Sequence, residues 1–335
     1  MAGPQGPATV APGAARRWSR QDWTRDPAAG ATTVGVTIDV PPSLRKARTA
    51  AGELAWLDEL PELVGEMASE WSLAIGRSCD GFGMNALVVE ATTADGTAAV
   101  LKLAPPGDAE KLALEATVLH LADGDGCVRL FDADVDRRAL LLERLGPSMY
   151  DLDVPRRQRH ELLLAAVERM WRPVDPAVRL QRGSERAQWT IGRLETVWEQ
   201  SHRACSERVL ADAIACAERR AAAHDDARSV LCHGDLHELN ALRTDDDRFR
   251  LIDPEGVVAE PEYDLGVLMR NAPGEDDLHE RADWLAASTG CDRTAIWEWG
   301  TAERVLSGLW CRVVDHQPHG DKQLADAERL CARPS

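Results

Sequence analysis

Leu231-Cys232-His233-Gly234-Asp235-Leu236-His237-Glu238-Leu239-Asn240, followed by Phe249-Arg250-Leu251-Ile252-Asp253-Pro254-Glu255-Gly256, is the stretch on which the fold turns. Two short apolar runs, each closing on polar residues, read as strands that end in turns. Asp253 follows Asp235 by 18 residues and ends the second run. Asp235 offers a carboxylate that can accept a hydroxyl proton. Asn240 and Asp253 offer one amide and one carboxylate oxygen donor, enough for a Mg2+ ion that keeps water and phosphate oxygens for its remaining positions. Two other readings use the same residues. One is a polar turn in which both histidines are hydrogen-bonded structural groups. The other is a Zn2+ hydrolase whose ligands are His233, Asp235 and His237.

The first half of the chain separates these readings. Only four lysines occur, Lys46, Lys102, Lys111 and Lys322, beside 35 arginines. Lys102 stands in Ala98-Ala99-Val100-Leu101-Lys102-Leu103, flanked by leucine on a predicted strand. Phosphoryl transfer needs a lysine there to hold nucleotide phosphates and an acid from the next helix to orient it. Glu115 meets that need: it shares a helix face with Leu112 and Leu119, and an acid on an apolar stripe requires a partner. A zinc hydrolase has no use for the pair. The alternative is a lysine snorkelling at a strand edge and a solvated glutamate. Upstream, Cys79-Asp80-Gly81-Phe82-Gly83-Met84-Asn85 lies between two strands where a phosphate-covering loop belongs, making Gly81 and Gly83 candidates, although G-x-G also suits an ordinary hairpin. Asp264 opens a helix before Leu268 and Met269, a position that predicts an N-cap and also permits bracing of the Asp235 loop.

Residues 1–35 contain 8 Ala, 5 Gly and 4 Pro, too little apolar surface to offset ordering entropy, so the composition predicts a flexible tail over 1–38. Helical periodicity follows from Ser43, and Pro61 is placed at the start of a second helix striped by Leu63, Val64, Met67 and Trp71. Strands are expected at 71–75, 86–91 and 97–103, with a hairpin turn at Asp95-Gly96, then a helix at 108–121 and strands at 128–131 and 139–143. Beyond Gly146 the pattern is mostly helical, at 157–171, 189–224 and 292–315, with one β interruption between Val230 and Asp253. This predicts an α+β chain of two lobes: a β-rich N-lobe over 39–145 and a helical C-lobe over 146–332, with a ligand cleft at the joint.

Charge bounds the partners. With 39 basic and 56 acidic residues, the net −17 argues against nucleic-acid and anionic-membrane binding. No apolar run reaches a membrane-spanning length, and Arg16-Arg17 lead no apolar segment, so neither a span nor a signal peptide is expected. The eight cysteines form no CxxC pair, which suits reduced thiols and a cytoplasmic setting. Residues 231–300 hold 17 acidic and 6 basic residues. Within them Glu275-Asp276-Asp277 could draw a cationic acceptor, or could simply start a helix where its dipole favours acids.

Together these residues resemble the aminoglycoside phosphotransferase branch of the kinase-like fold, whose motif reads H-G-D-x-x-x-x-N followed by I-D. Trp56-Leu57, Leu60-Pro61, Asp95-Gly96-Thr97, Asp123-Gly124-Asp125-Gly126 and Leu140-Leu141-Leu142-Glu143-Arg144-Leu145 are similar to the streptomycin 6-kinase and hydroxyurea phosphotransferase family. The resemblance covers residues 40–330. It implies transfer from ATP with Mg2+ to a hydroxyl of a small, cationic acceptor, streptomycin first, with hydroxyurea, an amino sugar or another aminocyclitol as alternatives. It further implies Asp235 as base, Asn240 and Asp253 on Mg2+, Lys102 on the phosphates, Glu115 pairing Lys102, and Leu142 to Leu145 as the hinge against adenine, Glu143 and Leu145 among its nucleotide contacts. Glu255 stands where a streptomycin kinase is expected to carry a basic residue. With Asp276 and Asp277 it completes the candidate acceptor contacts.

Overall fold

Pro42 suits a first helical turn because its ring fixes φ and its missing N–H has no partner to lose there. Helix α1 spans Pro42–Ala50 and α2 spans Leu54–Glu70 in a computed structural model that describes residues 38–79, 85–270 and 277–332. The tail expected at 1–38 falls outside the described residues except for Ile38. Pro61 does not start α2 but lies inside it. The buried stripe of Trp56, Leu57, Leu60, Val64 and Met67 runs straight through it, and this packing outweighs one lost backbone hydrogen bond.

Strands β1 (Ala74–Ser78), β2 (Leu87–Thr92) and β3 (Ala98–Leu103) follow, then α3 (Ala109–Ala122), β4 (Leu130–Asp134) and β5 (Ala139–Glu143). They form an antiparallel sheet in the order β1-β2-β3-β5-β4. The β2–β3 connection is the expected Asp95-Gly96 turn, with Gly96 at φ +85°. Strand β1 begins later than the sequence predicts, because Trp71 ends α2 and Ser72 turns the chain at φ +54°. Alternation along β3 positions the site: Ala99, Leu101 and Leu103 are buried on one face, while Val100 and Lys102 project from the other. Leu101 and Leu103 share a core with Leu87, Val89 and the stripe of α2.

The remainder is mostly helical: α4 (Arg156–Val167), β6 (Gln181–Arg182), α5 (Gly183–Gln200), α6 (Glu207–Ala222), β7 (Val230–Cys232), β8 (Ala241–Arg243), β9 (Phe249–Leu251), β10 (Val257–Ala259), α7 (Glu262–Met269), α8 (Leu278–Thr289), α9 (Arg293–Val313) and α10 (His319–Cys331). The single helical region read at 189–224 is two helices. His202 and Arg203 adopt φ near +60°, and Ser206 caps α6 through the N–H of Val209. Strands β6 and β10 are too short to leave a periodic signal. They lie side by side, with β10 also antiparallel to β7. The lobes are stitched together where Val128 N–H donates to Leu251 O (2.8 Å) and Leu251 N–H donates to Gly126 O (2.9 Å). None of the described helices is long and apolar enough to cross a membrane.

Candidate active site

The loop between β7 and β8 is shaped by buried hydrogen bonds. Asp264 accepts from the backbone N–H groups of His233 (3.0 Å) and Gly234 (2.8 Å) and from the Trp171 indole (3.1 Å). It is therefore a brace for this loop. It is not the cap of α7, whose N-cap position is Pro261. Gly234 takes φ +86°, the left-handed geometry that glycine adopts without strain. The His233 ring is wholly buried. Its Nε2–H donates to Ile252 O at 2.8 Å, and Nδ1 accepts from Asp235 N–H at 3.2 Å. Burial holds the ring neutral by lowering its pKa against the pull of Asp264 and Asp235. With both nitrogens engaged, His233 has none to give a metal, and no group of three or more His, Cys, Asp or Glu among the described residues has the arrangement of a metal site. This removes the geometric basis of the His233–Asp235–His237 zinc reading.

Asp235 and Asn240 are joined directly. The Asn240 amide donates to Asp235 O (3.0 Å) and Oδ2 (3.1 Å), and His237 Nε2 lies 3.2 Å from the same Oδ2. The other oxygen, Oδ1, accepts from Arg270. Burial alone would raise the Asp235 pKa, but Arg270 and His237 outweigh it and hold the carboxyl far below its usual range.

From the opposing sheet, Lys102 Nζ donates to both Glu115 oxygens and to Asp253 Oδ1, all at 2.7 Å. Burial disfavours the ammonium, yet Asp253 and Glu115 together keep its pKa above the ordinary lysine value. Burial raises the Glu115 carboxyl despite Lys102. Asp253, which burial would also raise, is instead lowered by Lys102. Asp253 sits at φ +58°, a conformation that costs an L-residue about 1–2 kcal/mol.

These groups line one cleft of about 970 Å3. Val88, Val100 and Leu142 of the sheet and Leu242 and Ile252 of the other lobe give it apolar walls, and Lys102, Glu115, Asp235, Asn240 and Asp253 supply its polar end. Glu143 and Leu145 line it too. The Glu143 carboxylate accepts from Arg250 and, at 3.4 Å, from the Arg129 N–H. The N–H groups of Arg144 and Gly146 reach Ala98 O and Arg243 O, whereas that of Leu145 donates to no acceptor among the described residues. Gly81, Gly83 and Asp276 lie outside the described residues. Asp277 does not line the cleft: it caps α8, accepting from His279 N–H (2.8 Å) and Glu280 N–H (3.4 Å).

Residues 74–315 match the family described as aminoglycoside/hydroxyurea antibiotic resistance kinase. The chain belongs to that family. It is a phosphotransferase with the α+β, two-lobed, kinase-like fold. A hydroxyurea phosphotransferase of Kitasatospora aureofaciens is 29% identical over 96% of this chain and 93% of its own length. A streptomycin 6-kinase of Streptomyces griseus is also 29% identical, over 89% of this chain and 98% of its own. Among solved structures, the choline kinase LicA of Streptococcus pneumoniae superposes with a TM-score of 0.58 at 17% identity, covering 83% of this chain and 99% of that one.

The kinase contains a second cluster, of which sequence reasoning selected only Asp235 and Glu255. Arg270 bonds Glu303 Oε2 at 3.3 Å as well as Asp235, and Arg186 bonds Glu255 at 2.7 Å. Glu303 is 2% exposed on α9, between the buried Trp299 and Leu306. That is the same acid-on-an-apolar-face signal that singles out Glu115. Arg270 carries no such signal in a chain with 35 arginines.

Proposed function

We propose that this kinase transfers the γ-phosphoryl group of ATP, with Mg2+, to a hydroxyl of a small acceptor, streptomycin being the first candidate. The observation that carries the reading is Lys102, held at 2.7 Å by Glu115 and Asp253 in the same cleft as Asp235 and Asn240. The cleft is the right size for a nucleotide, its apolar walls suit the adenine, and the Leu145 N–H is a donor for the base edge. Lys102 binds the phosphates, and Glu115 fixes its direction. Gly81 and Gly83 are proposed to cover the phosphates from above.

The oxygen donors suit Mg2+. The Asn240 amide nitrogen is turned to Asp235, which leaves its Oδ1 for a metal, and Asp253 has Oδ2 beside the oxygen given to Lys102. When bound, Mg2+ neutralises phosphate charge and orients the transferring group. Asp235 orients the acceptor hydroxyl and takes its proton as the bond from that oxygen to the γ-phosphorus forms and the bond from the γ-phosphorus to the bridging oxygen breaks, releasing ADP. A carboxylate held this firmly ionised fits a reaction in which the proton leaves late.

The acceptor has two supported readings. The overall charge and the streptomycin 6-kinase relative favour a cation. Hydroxyurea, small and uncharged, is favoured by two structural facts: Glu255 is already neutralised by Arg186, and Asp277 is engaged in capping α8. The test is ADP release from MgATP across streptomycin, hydroxyurea, amino sugars and aminocyclitols, with product mass determined. Release coupled to one acceptor gaining one phosphoryl group supports the proposal. ADP release with none of them contradicts it.

A further inference from the structure

Asp235 owes one of its two oxygens to a residue outside its own loop. Oδ2 is shared by His237 and Asn240, whereas Oδ1 has Arg270, at the C-terminal end of α7, as its side-chain partner. Arg270 is itself fixed by three other helices. Glu303 of α9 accepts its Nη1 (3.3 Å), Gln323 of α10 donates to its carbonyl (3.2 Å), and the preceding carbonyl of Met269 accepts from Arg281 of α8 (3.3 Å) and Arg304 of α9 (3.4 Å). Helices α7 and α9 can approach this closely because glycines meet at their crossing. A Cβ at Gly300 would lie 2.8 Å from the Met269 Cβ, and one at Gly266 would collide with Trp299. One turn beyond that crossing on each helix stand Arg270 and Glu303.

We propose that Arg270 is a positioning residue for phosphoryl transfer, aiming the Asp235 carboxylate at the acceptor hydroxyl, and that Glu303 holds Arg270 in that pose. The inference rests on Asp235 being the residue that receives the hydroxyl. A guanidinium suits the role because its planar fork engages Asp235 through one nitrogen and Glu303 through another, so the plane of Asp235 is set by the helical bundle of the C-lobe. A lysine keeps the charge but offers no planar fork. The nucleotide end of the cleft, built on Lys102, Glu115 and Asp253, touches neither Arg270 nor Glu303 and should not register their loss.

The experiment measures kcat and the KM for ATP of Arg270→Ala, Arg270→Lys, Glu303→Gln and Asp235→Asn in the full chain. The acceptor is whichever of streptomycin and hydroxyurea is phosphorylated, and ADP-induced thermal shifts report nucleotide binding. Arg270→Ala is expected to lose about 10²-fold in kcat, the scale of a misaimed reacting group, with the KM for ATP and the ADP shift unchanged. Added guanidinium should restore part of that loss. Arg270→Lys and Glu303→Gln should lose less, again in kcat alone. If Arg270→Ala does not fold, Arg270→Lys decides. Wild-type kcat in the folded Arg270 variant, with Asp235→Asn inactive, overturns the inference. An active Asp235→Asn, or no turnover with either acceptor, overturns the functional reading and this inference with it.

Discussion

Two cations bind the carboxylates at the polar end of this cleft, and each is held by a buried glutamate from a helix. Lys102 stands between Glu115 of α3 and Asp253, and Arg270 stands between Glu303 of α9 and Asp235. The architecture is repeated, but the chemistry differs. Lys102 is a point charge on a strand that lines the cleft, its ammonium shared between Glu115 and Asp253. Arg270 is a fork wedged between helices, anchored through its backbone as well as its side chain. The first triple suits binding a mobile ligand, and the second suits holding one side chain still.

The largest expected effect is on the lysine triple. Lys102→Met leaves Glu115 buried without its counter-ion and should cost about 3–5 kcal/mol in denaturant unfolding, besides abolishing nucleotide use. Lys102→Met with Glu115→Gln should recover much of the stability and none of the activity. If the double variant is as unstable as the sum of the singles, the two residues are not coupled as described.

Glycine at the helix crossing is the next lever. Gly266→Ala forces α7 off α9 and should destabilise by about 1–3 kcal/mol, lowering kcat while sparing the KM for ATP. Glu115→Gln should give the converse split, with a higher KM for ATP and a modest change in kcat. If both variants move the same parameter, the functional separation of the triples fails.

An exposed ion pair gives the smallest effect and calibrates the others. Asp125 is bonded by Arg169 (2.7 Å) and Arg172 (3.2 Å) at half exposure, and Arg169 leads in lowering its pKa. A depressed carboxyl pKa means its stabilisation is present above the ordinary Asp value near about 3.9 and is lost as pH falls through the folded value. Asp125→Ala should therefore lower the unfolding free energy slightly at neutral pH, by less than about 1 kcal/mol, with the difference closing in acid and kcat untouched.

Much of this site is legible in the sequence for a physical reason: the strands and turns around the polar end of the cleft carry short, local signals. The Asp235 loop and the Asp95-Gly96 turn each lie within ten residues. Rarity singles out Lys102, and helical spacing singles out Glu115. What escaped depends on packing between distant segments. Pro61 looks like a helix start until the continuous stripe of α2 is seen in its core. Asp264 looks like a cap, yet Pro261 takes that place and puts it against the loop 30 residues upstream. Acidic residues suggested a charged acceptor wall, but Asp277 caps α8 and Glu255 is paired with Arg186. Glu303 was within reach, flanked by Trp299 and Leu306 as Glu115 is by Leu112 and Leu119. Arg270 was not, because only the crossing of α7 and α9 brings it to Asp235.

The most direct test of the central claim is steady-state ADP release with Asp235→Asn beside the wild type, using the acceptor found in the panel and an ADP thermal shift to show intact nucleotide binding. The substitution keeps the shape and removes the charge, so turnover should fall by about 10²–10⁴-fold while the shift persists. Wild-type turnover by Asp235→Asn would contradict the assignment of Asp235 as the group that receives the acceptor hydroxyl.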